Sequence, residues 1–169
     1  MNQDDRVIGL RNVELTDADW ILDACQDPTI QRWTRVPRPY LRSHADEFVR
    51  GGTPEVMKWV ICSDEQPIGL IGVHTIDDDG VAEIGYWVAP WGRGQRAVTQ
   101  AIELVADHLL ATGSVTSIQA IIAEGNSASR RSAELAGLTE FAQRAEGCPD
   151  GDELSNAIVY RRSITIPPS

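Results

Sequence analysis

The chain has 169 residues, a hydrophobic share of 42% and a formal net charge of -10. That length is enough for one domain with a sizeable core, so we expect residues 1–169 to form a single domain. The acidic balance argues against nucleic acid as the main partner, because binding phosphates needs a basic surface. It favours the approach of a cationic substrate such as an amine, although the same charge also keeps a protein soluble.

The three cysteines, Cys25, Cys62 and Cys148, are odd in number and widely spaced, with no CxxC pair among them. This arrangement indicates neither a zinc site nor a disulfide framework, so no metal is expected. The N-terminal stretch MNQDDRVIGL does not have the pattern of a signal peptide. No apolar run approaches the roughly 18 residues of a membrane-spanning helix. We therefore expect a cytoplasmic protein that does not bind membranes.

The first part of the chain predicts one strand and two helices. A strand is expected within 7–15. The stretch TDADWILDACQDP is typical of a helix that is capped by Thr16 with Asp19 and ends before Pro28. The segment TRVPRPYLR is expected to be irregular. The stretch SHADEFVRGG then predicts a short helix that begins at Ser43 and ends at its two glycines.

Three apolar stretches rich in β-branched residues follow, at 56–64, 67–76 and 81–90. The sequences DEQP and DDDG between them are turn signals. These three strands are expected to form an antiparallel meander.

Beyond the meander, apolar residues recur at helical spacing from Ala97 to Leu109, and Gly113 is expected to end that helix. A further strand is predicted at 117–124. A strand–helix–strand unit of this kind is expected to be a right-handed crossover with its two strands parallel. A second helix at 127–136 and a closing hairpin, with its turn at 147–152, complete the chain. The predicted fold class is α+β: a mixed, mostly antiparallel sheet with one central parallel strand pair, flanked by helices.

The segment Pro90-Trp91-Gly92-Arg93-Gly94 joins the first parallel strand to its helix. Ligands favour the carboxyl ends of parallel strands, and a helix N-terminus presents unpaired N–H groups there. Gly92 and Gly94 would let a ligand approach the backbone, and Arg93 and Arg96 add positive charge. This is the outline of a diphosphate site, although the spacing fits neither a Walker A loop nor a Rossmann fingerprint. A tight connection with solvated arginines is the alternative.

The second parallel strand is followed by GNSASRRSAELAG. Asn126 would lie at the crevice between the strands and Ser129 one turn into the next helix, where both can bind a ligand. The alternative is that Asn126 or Ser127 simply caps the helix, and Asn126 can serve both purposes.

The sequence AEIGYWVAPWGRGQRAVTQA, followed by NSASRRSAELAG, resembles the GNAT acetyltransferase superfamily, and within it the ribosomal-protein N-terminal acetyltransferases of RimL type. The resemblance implies acetyl-coenzyme A as co-substrate and a primary amine as acceptor. Its diphosphate would lie on the turn at 93–98, and its pantetheine arm would pair with backbone near Trp87 and Val88. The sequence departs from the family pattern at Arg96 and Val98, where small residues are usual. The implied cofactor-binding residues are Trp87, Val88, Arg93, Gly94, Gln95, Arg96, Ala97, Val98, Thr99, Asn126 and Ser129.

Acetyl transfer to an amine needs a group that takes the proton of the amine and a group that protonates the departing thiolate. Strand alternation places Glu83 on one face with Gly85 and Trp87, and it matches the position where some members of the superfamily have their base. The alternative is an exposed glutamate, or one paired with Lys58. Many members protonate the thiolate with a tyrosine after the position of Asn126. That tyrosine is missing here, so Ser129 is the candidate catalytic acid.

The irregular segment before the sheet contains Trp33, Arg35 and Tyr40, and in the family this region shapes the acceptor pocket. An ordinary surface loop with an aromatic anchor is the alternative. The histidines at 44, 74 and 108 are interpreted as structural.

Two classes of function remain open. One is an acetyl-coenzyme A-dependent N-acetyltransferase, and the other is a non-catalytic module of the same fold that only binds acyl-coenzyme A. The acceptor, a peptide N-terminus or a small-molecule amine, is not determined by the sequence. The closing hairpin has edges that can pair with a second copy, so a homodimer is one option.

Overall fold

The computed structural model describes residues 6–164, which form one seven-stranded sheet with helices on both faces. The strand order is β1-β2-β3-β4-β5-β7-β6. The strands are β1 (Ile8–Asn12), β2 (Met57–Ser63), β3 (Gln66–Ile76), β4 (Val81–Val88), β5 (Ser117–Ala123), β6 (Thr139–Asp150) and β7 (Glu153–Ser163). The helices are α1 (Ala18–Ala24), α2 (Pro28–Trp33), α3 (Arg42–Val49), α4 (Ala97–Thr112) and α5 (Ser127–Leu135), with short 3-10 helices at Leu15–Asp17 and Pro90–Gly92.

The predicted topology is confirmed. Strands β2, β3 and β4 form the antiparallel meander, and β4 pairs with β5 in parallel. Strand β7 lies between β5 and β6, antiparallel to both, so the hairpin closes the sheet on one side. The sheet is therefore mixed, with its one parallel pair in the middle.

Apolar residues are buried on both faces of the sheet. On one face α4 packs with Ile102, Val105 and Leu109, each fully buried, against β4 and β5. On the other face α1 to α3 cover β2 and β3, with Ile21 and Val60 at the centre of a second cluster. Because α4 presents apolar residues at helical spacing and ends at Gly113, which has a φ of 73°, the sequence predicted its bounds well.

Two predicted boundaries are wrong, and one helix was not predicted. The first helix is not capped by Thr16 with Asp19, because the buried Asp17 accepts the backbone N–H of Glu14 instead. That helix does end before Pro28, at Ala24, but Pro28 begins the unpredicted α2, where its missing N–H costs nothing. Helix α3 begins at Arg42, before Ser43. The backbone N–H of Leu41, which precedes the helix, donates to the ring of His44.

The closing hairpin also differs in detail from the prediction. Strand β6 continues through 147–150, which was predicted as part of the turn, and the turn itself is only Gly151-Asp152. A bulge lies in β6 between Arg144 and Cys148, with Glu146 at a φ of 52°. Within 6–164, no helix has the length and apolar character needed to cross a membrane.

Candidate active site

The two parallel strands separate before they end. Their pairing runs from Val81 opposite Ser117 only as far as Ile84 opposite Ala120. Beyond that point β4 continues to Val88, paired on its other side with β3, while β5 continues paired with β7. The edge of β4 from 85 to 88 is therefore open toward β5. A cleft of about 1000 Å³ runs along this gap.

At the end of β4 the chain makes one 3-10 turn before α4 begins at Ala97, where the helical spacing of apolar residues also begins. We expected Gly92 to let a ligand approach the backbone, but it does not. It is buried, and an added Cβ would lie 2.6 Å from Cβ of Ile68. Gly94 does have the conformational role, with a φ of 77° and open space around it. The two glycines thus serve different purposes, packing and turning.

The turn that lines the cleft has several backbone N–H groups without a hydrogen bond to another residue of 6–164. Within the described part of the chain, the amides of residues 95–99 donate no hydrogen bond. Arg96 is the helix N-cap in a left-handed conformation, with a φ of 52°, and its exposed side chain has no ion-pair partner among residues 6–164. Unpaired amides, the positive end of the helix dipole and a free guanidinium together favour an anion.

Side chains at this turn hold its backbone in place. The indole N–H of Trp91 donates to the carbonyl oxygen of Pro67 at 3.0 Å, and the hydroxyl of Ser63 donates to Oε1 of Gln95 at 2.7 Å. Both contacts anchor the turn to the neighbouring hairpin. The turn is therefore formed before any ligand binds.

Arg93 is engaged elsewhere. Its guanidinium donates to the carboxylate of Asp27, which also accepts the backbone N–H of Ile30 as the N-cap of α2. Burial would raise the pKa of Asp27, but these hydrogen bonds hold that pKa below its usual value. Arg93 therefore joins the turn to α2 rather than standing free for a phosphate.

The carboxyl end of β5 leads into α5. The side-chain oxygen of Asn126 accepts the backbone N–H of Ser129 at 3.3 Å, so Asn126 is the predicted N-cap. Ser129 lines the cleft, and its hydroxyl donates to the phenol oxygen of Tyr86 at 3.0 Å. Tyr86 in turn donates to the carbonyl oxygen of Ser129 at 3.3 Å. Burial raises the pKa of Tyr86 to about 12, so its phenol stays protonated at neutral pH.

Glu83, Gly85 and Trp87 point to the face of the sheet that α1 to α3 cover, as alternation predicted. Trp87 packs there against Trp20, with ring centroids 5.8 Å apart, while Tyr86 packs on the other face. Glu83 is partly exposed, lines the cleft and makes no hydrogen bond to a described residue. Lys58 is not its partner, because that ammonium donates to the carbonyl oxygen of Phe48 and the hydroxyl of Thr53.

His74 also lies beside Glu83 in the cleft. The β3 bulge places Thr75 opposite Glu83, and the His74 ring covers Gly85 so closely that a Cβ there would overlap Nε2. His74 is exposed and has no hydrogen-bond partner among residues 6–164. Sequence reasoning interpreted this histidine as structural, because a β-bulge that turns it over the glycine is not visible in the residue pattern.

The three predicted acceptor residues have different environments. Tyr40 is 6% exposed and packs against Cys25 and the ring of His44, so it forms part of a wall. Trp33 is partly buried beside Cys148 and covers Gly125 at the end of β5. Arg35 is exposed and lines the cleft without an ion-pair partner in the described residues.

The domain as a whole matches a known family. The chain matches the family model described as the acetyltransferase (GNAT) domain over residues 8–139 and belongs to that family. The resemblance seen in the sequence is thereby confirmed. No relative is found among curated protein sequences.

Solved structures with the same fold include RimL, the ribosomal L7/L12 alpha-N-protein acetyltransferase, in complex with coenzyme A, at 16% identity and a TM-score of 0.82 over 92% of this chain and 93% of that one. Another is the microcin C7 self immunity acetyltransferase MccE with acetyl-CoA and AMP, at 18% identity and 0.81 over 95% and 94%. A third is spermidine N-acetyltransferase from Vibrio cholerae with CoA and spermine, at 17% identity and 0.79 over 92% and 95%. At these identities the likeness shows the fold.

Proposed function

We propose that this chain, as a single N-acetyltransferase domain over 1–169, transfers an acetyl group from acetyl-coenzyme A to a primary amine by direct attack. The observation that supports this most is the gap between β4 and β5, which leads from the carboxylate of Glu83 to five unpaired amides at residues 95–99. The family and the acetyl-CoA and CoA complexes of its structural neighbours agree with this donor.

The donor is proposed to lie in the gap. Its diphosphate would accept hydrogen bonds from the amides at 95–99 and meet the charge of Arg96. The amides of its pantetheine arm would pair with the open edge of β4 at Trp87 and Val88, as an added strand does. The N–H of Val88 would then be close enough to polarise the thioester carbonyl.

Glu83 is the proposed base. It lies on the face of β4 proposed for the acceptor, and its carboxylate has no cationic partner among residues 6–164, so it can take the proton of an incoming ammonium, directly or through water. The neutral amine then attacks the thioester carbon, the C–N bond forms, and the C–S bond breaks.

The departing thiolate would take its proton from Ser129, with Tyr86 as the positioning residue. The serine hydroxyl donates to the phenol oxygen of Tyr86, and the phenol donates to the carbonyl oxygen of Ser129. Once Ser129 has given its proton to the thiolate, the phenol of Tyr86 would turn from that carbonyl to the serine oxygen and return a proton to it. In this proposal a tyrosine on β4 takes the place of the tyrosine that is missing downstream of Asn126. The catalytic cycle is complete when Glu83 releases its proton to solvent and Tyr86 takes up a proton from solvent.

Two measurements test the proposal. An isotherm with acetyl-coenzyme A shows whether the donor binds, and thiol release with a panel of primary amines shows whether acetyl is transferred. Saturable binding together with amine-dependent thiol release supports the enzyme. Binding without thiol release for any amine would leave the acyl-coenzyme A-binding module, and absence of binding would contradict both.

Arg96→Ala is expected to weaken acetyl-coenzyme A binding by about five- to tenfold, since a hydrogen bond to a charged group contributes roughly 1 kcal/mol or more at an exposed site. Raising the salt concentration should narrow the gap between variant and wild type. Arg93→Ala should weaken binding less, because that guanidinium is paired with Asp27. Calorimetric titration measures the affinity of the wild type and of both variants for acetyl-coenzyme A, at low and at high salt. A larger loss in Arg93→Ala than in Arg96→Ala would contradict the assignment.

Tyr86→Phe is expected to lower turnover by about tenfold, as the loss of one hydrogen bond to the acid implies. Affinity for acetyl-coenzyme A should stay within about twofold, because the phenol is not part of the proposed donor contacts. The loss should disappear in a Ser129→Ala background, since the two hydroxyls then act as one unit. Additive losses in the double variant would separate Tyr86 from the acid.

A further inference from the structure

The acceptor end of the cleft contains two arginines without a partner. Arg35 follows α2, and Arg144 lies on β6, and both line the cleft that contains Glu83. Both side chains are exposed, and neither forms an ion pair or hydrogen bond with another residue in 6–164. Arg35 and Arg144 reach the cleft from two different parts of the chain, so the fold, and not one charged stretch of sequence, brings them to the same cleft.

Half of the fourteen arginines among residues 6–164 lack a carboxylate partner, and Arg35 and Arg144 belong to that half. Seven arginines of the described residues are within ion-pair distance of a carboxylate. With a net charge of -10, carboxylates are abundant, so two neighbouring arginines that avoid them are available for an external anion. The paired arginines are Arg11, Arg32, Arg38, Arg42, Arg93, Arg130 and Arg162.

The bulge in β6 positions Arg144 at the cleft. It interrupts the pairing with β7 between Arg144 and Cys148 and requires a left-handed Glu146. Gly147 packs within the bulge, where a Cβ would lie 2.9 Å from Cβ of Ala157 and 3.0 Å from Cβ of Arg144. Arg144 and Cys148 thereby come to line the same cleft, although a regular strand would separate them by four positions.

The charges of Arg35, Arg144 and Glu83 meet around one buried thiol. The pKa of Cys148 is raised by burial, while Arg35 and Arg144 lower it and Glu83 raises it. Both guanidinium groups and the carboxylate therefore lie near the same atom, on the acceptor side of the cleft. A ligand in this cleft meets both positive and negative charge.

We infer that the acceptor amine bears an anionic group, a carboxylate or a phosphate, which Arg35 and Arg144 bind while the nitrogen lies at Glu83. This rests on the proposed acetyl transfer to a primary amine and narrows its substrate class. The amine is deprotonated at the carboxylate, and the anion is held by two guanidinium forks, one from the segment after α2 and one from β6. Trp33, the last residue of α2, packs beside Cys148 and supplies an apolar surface for the part of the acceptor that joins the two groups. A polyamine fits this end poorly, because its second ammonium would face the arginines.

The test uses two matched pairs of acceptors, titrated by calorimetry into the protein saturated with coenzyme A. One pair is the peptides Ser-Glu-Ala and Ser-Gln-Ala with amidated C-termini, and the other is phosphoethanolamine and ethanolamine. In at least one pair the anionic member should bind about 10- to 100-fold more tightly, as expected for hydrogen bonds to charged groups. The pair that shows the preference tells whether the anion is a carboxylate or a phosphate.

Variants assign the preference to the residues. Arg35→Gln and Arg144→Gln should each reduce the preference for the anionic acceptor at least fivefold. A loss of that size is part of the range expected for hydrogen bonds to charged groups. Arg50→Gln should leave it unchanged, because Arg50 is exposed at the end of α3 and away from the cleft. Arg144→Glu should shift binding toward spermidine.

Equal binding of both members in both pairs, or a preference that survives in Arg35→Gln and Arg144→Gln, would overturn the inference. Thiol release from acetyl-coenzyme A, recorded with the same acceptors, distinguishes failure of the proposed acetyl transfer from failure of the proposed anion site. Anion-dependent binding without thiol release would contradict the proposed function and leave the anion site. Efficient thiol release from ethanolamine and spermidine, with no advantage for the anionic members, would leave the function and overturn the anion site.

Discussion

Glu83→Gln is expected to lower turnover by about 10²–10⁴-fold, which corresponds to roughly 3–5 kcal/mol in the barrier. Glutamine keeps the size and hydrogen-bonding reach of the side chain but cannot take a proton. Affinity for acetyl-coenzyme A should be unchanged, because the proposed donor contacts begin four residues later, at Trp87. Steady-state kinetics with a saturating amine measures both effects.

Glu47→Gln is the matched control for this experiment. Glu47 also lines the cleft but is exposed on α3, so its loss should change turnover by less than about threefold, well below the range for a base. A change equally small in Glu83→Gln would make that carboxylate structural. His74, which lies over Gly85 without a hydrogen-bond partner in the described residues, would then be the next group to replace.

Asp17→Asn is expected to lower the free energy of unfolding by about 3 kcal/mol, the low end for a broken buried ion pair. The carboxylate is 3% exposed and accepts four hydrogen bonds, two from Arg11 at 2.9 and 2.7 Å, one from the N–H of Glu14 and one from the indole of Trp20. The value lies at the low end because Arg11 remains one-third exposed and can be solvated. Urea denaturation measures the difference.

Asp19→Asn is the control for Asp17. Its ion pair with Arg42 is 79% exposed on the carboxylate side, so the variant should differ from wild type by less than about 1 kcal/mol. Similar losses in both variants would show that general charge balance, not the buried network, determines stability here.

The same network makes stability depend on pH. Burial alone would raise the pKa of Asp17, but the hydrogen bonds from Arg11, Glu14 and Trp20 lower it below its ordinary value. A group with a lowered folded-state pKa contributes its full stabilisation above its unfolded-state value, about 3.9 for aspartate, and loses it as the pH falls further. The difference between wild type and Asp17→Asn should therefore be constant near neutral pH and shrink below about pH 4.

Regular elements with strong periodicity were predictable from the sequence, and polar contacts between distant residues were not. The spacing of apolar residues in α4 and the turn signals around β3 gave the meander and the crossover, because burial on one face fixes that pattern. The cap at Asp17 was missed because Thr16 with Asp19 fits the local capping pattern equally well. What selects Asp17 is Arg11 on β1, a partner that only the folded chain brings close.

The candidate site shows the same division. The turn at 93–99 and the helix cap at Asn126 follow from local sequence, since glycine, arginine and asparagine have conformational and charge preferences that act over a few residues. The pairing of Ser129 with Tyr86 spans 43 positions and joins α5 to β4, so a search for a tyrosine after Asn126 does not find it. Likewise, Arg93 reads locally as a phosphate contact, but Asp27 on the opposite layer is its partner.

The four residue pairs that join β4 to β5 are the seam at which the sheet divides into two blocks of strands, β1 to β4 and β5 to β7. A pantetheine arm lying along the open edge of β4 would add hydrogen bonds beyond these four pairs. The diphosphate would hold the donor at α4, whose apolar residues belong to the same core cluster as residues of both blocks. The donor is then a structural member of the sheet as well as a reagent. Because a ligand that binds only the folded state stabilises it, the free energy of unfolding would then rise with the concentration of the donor.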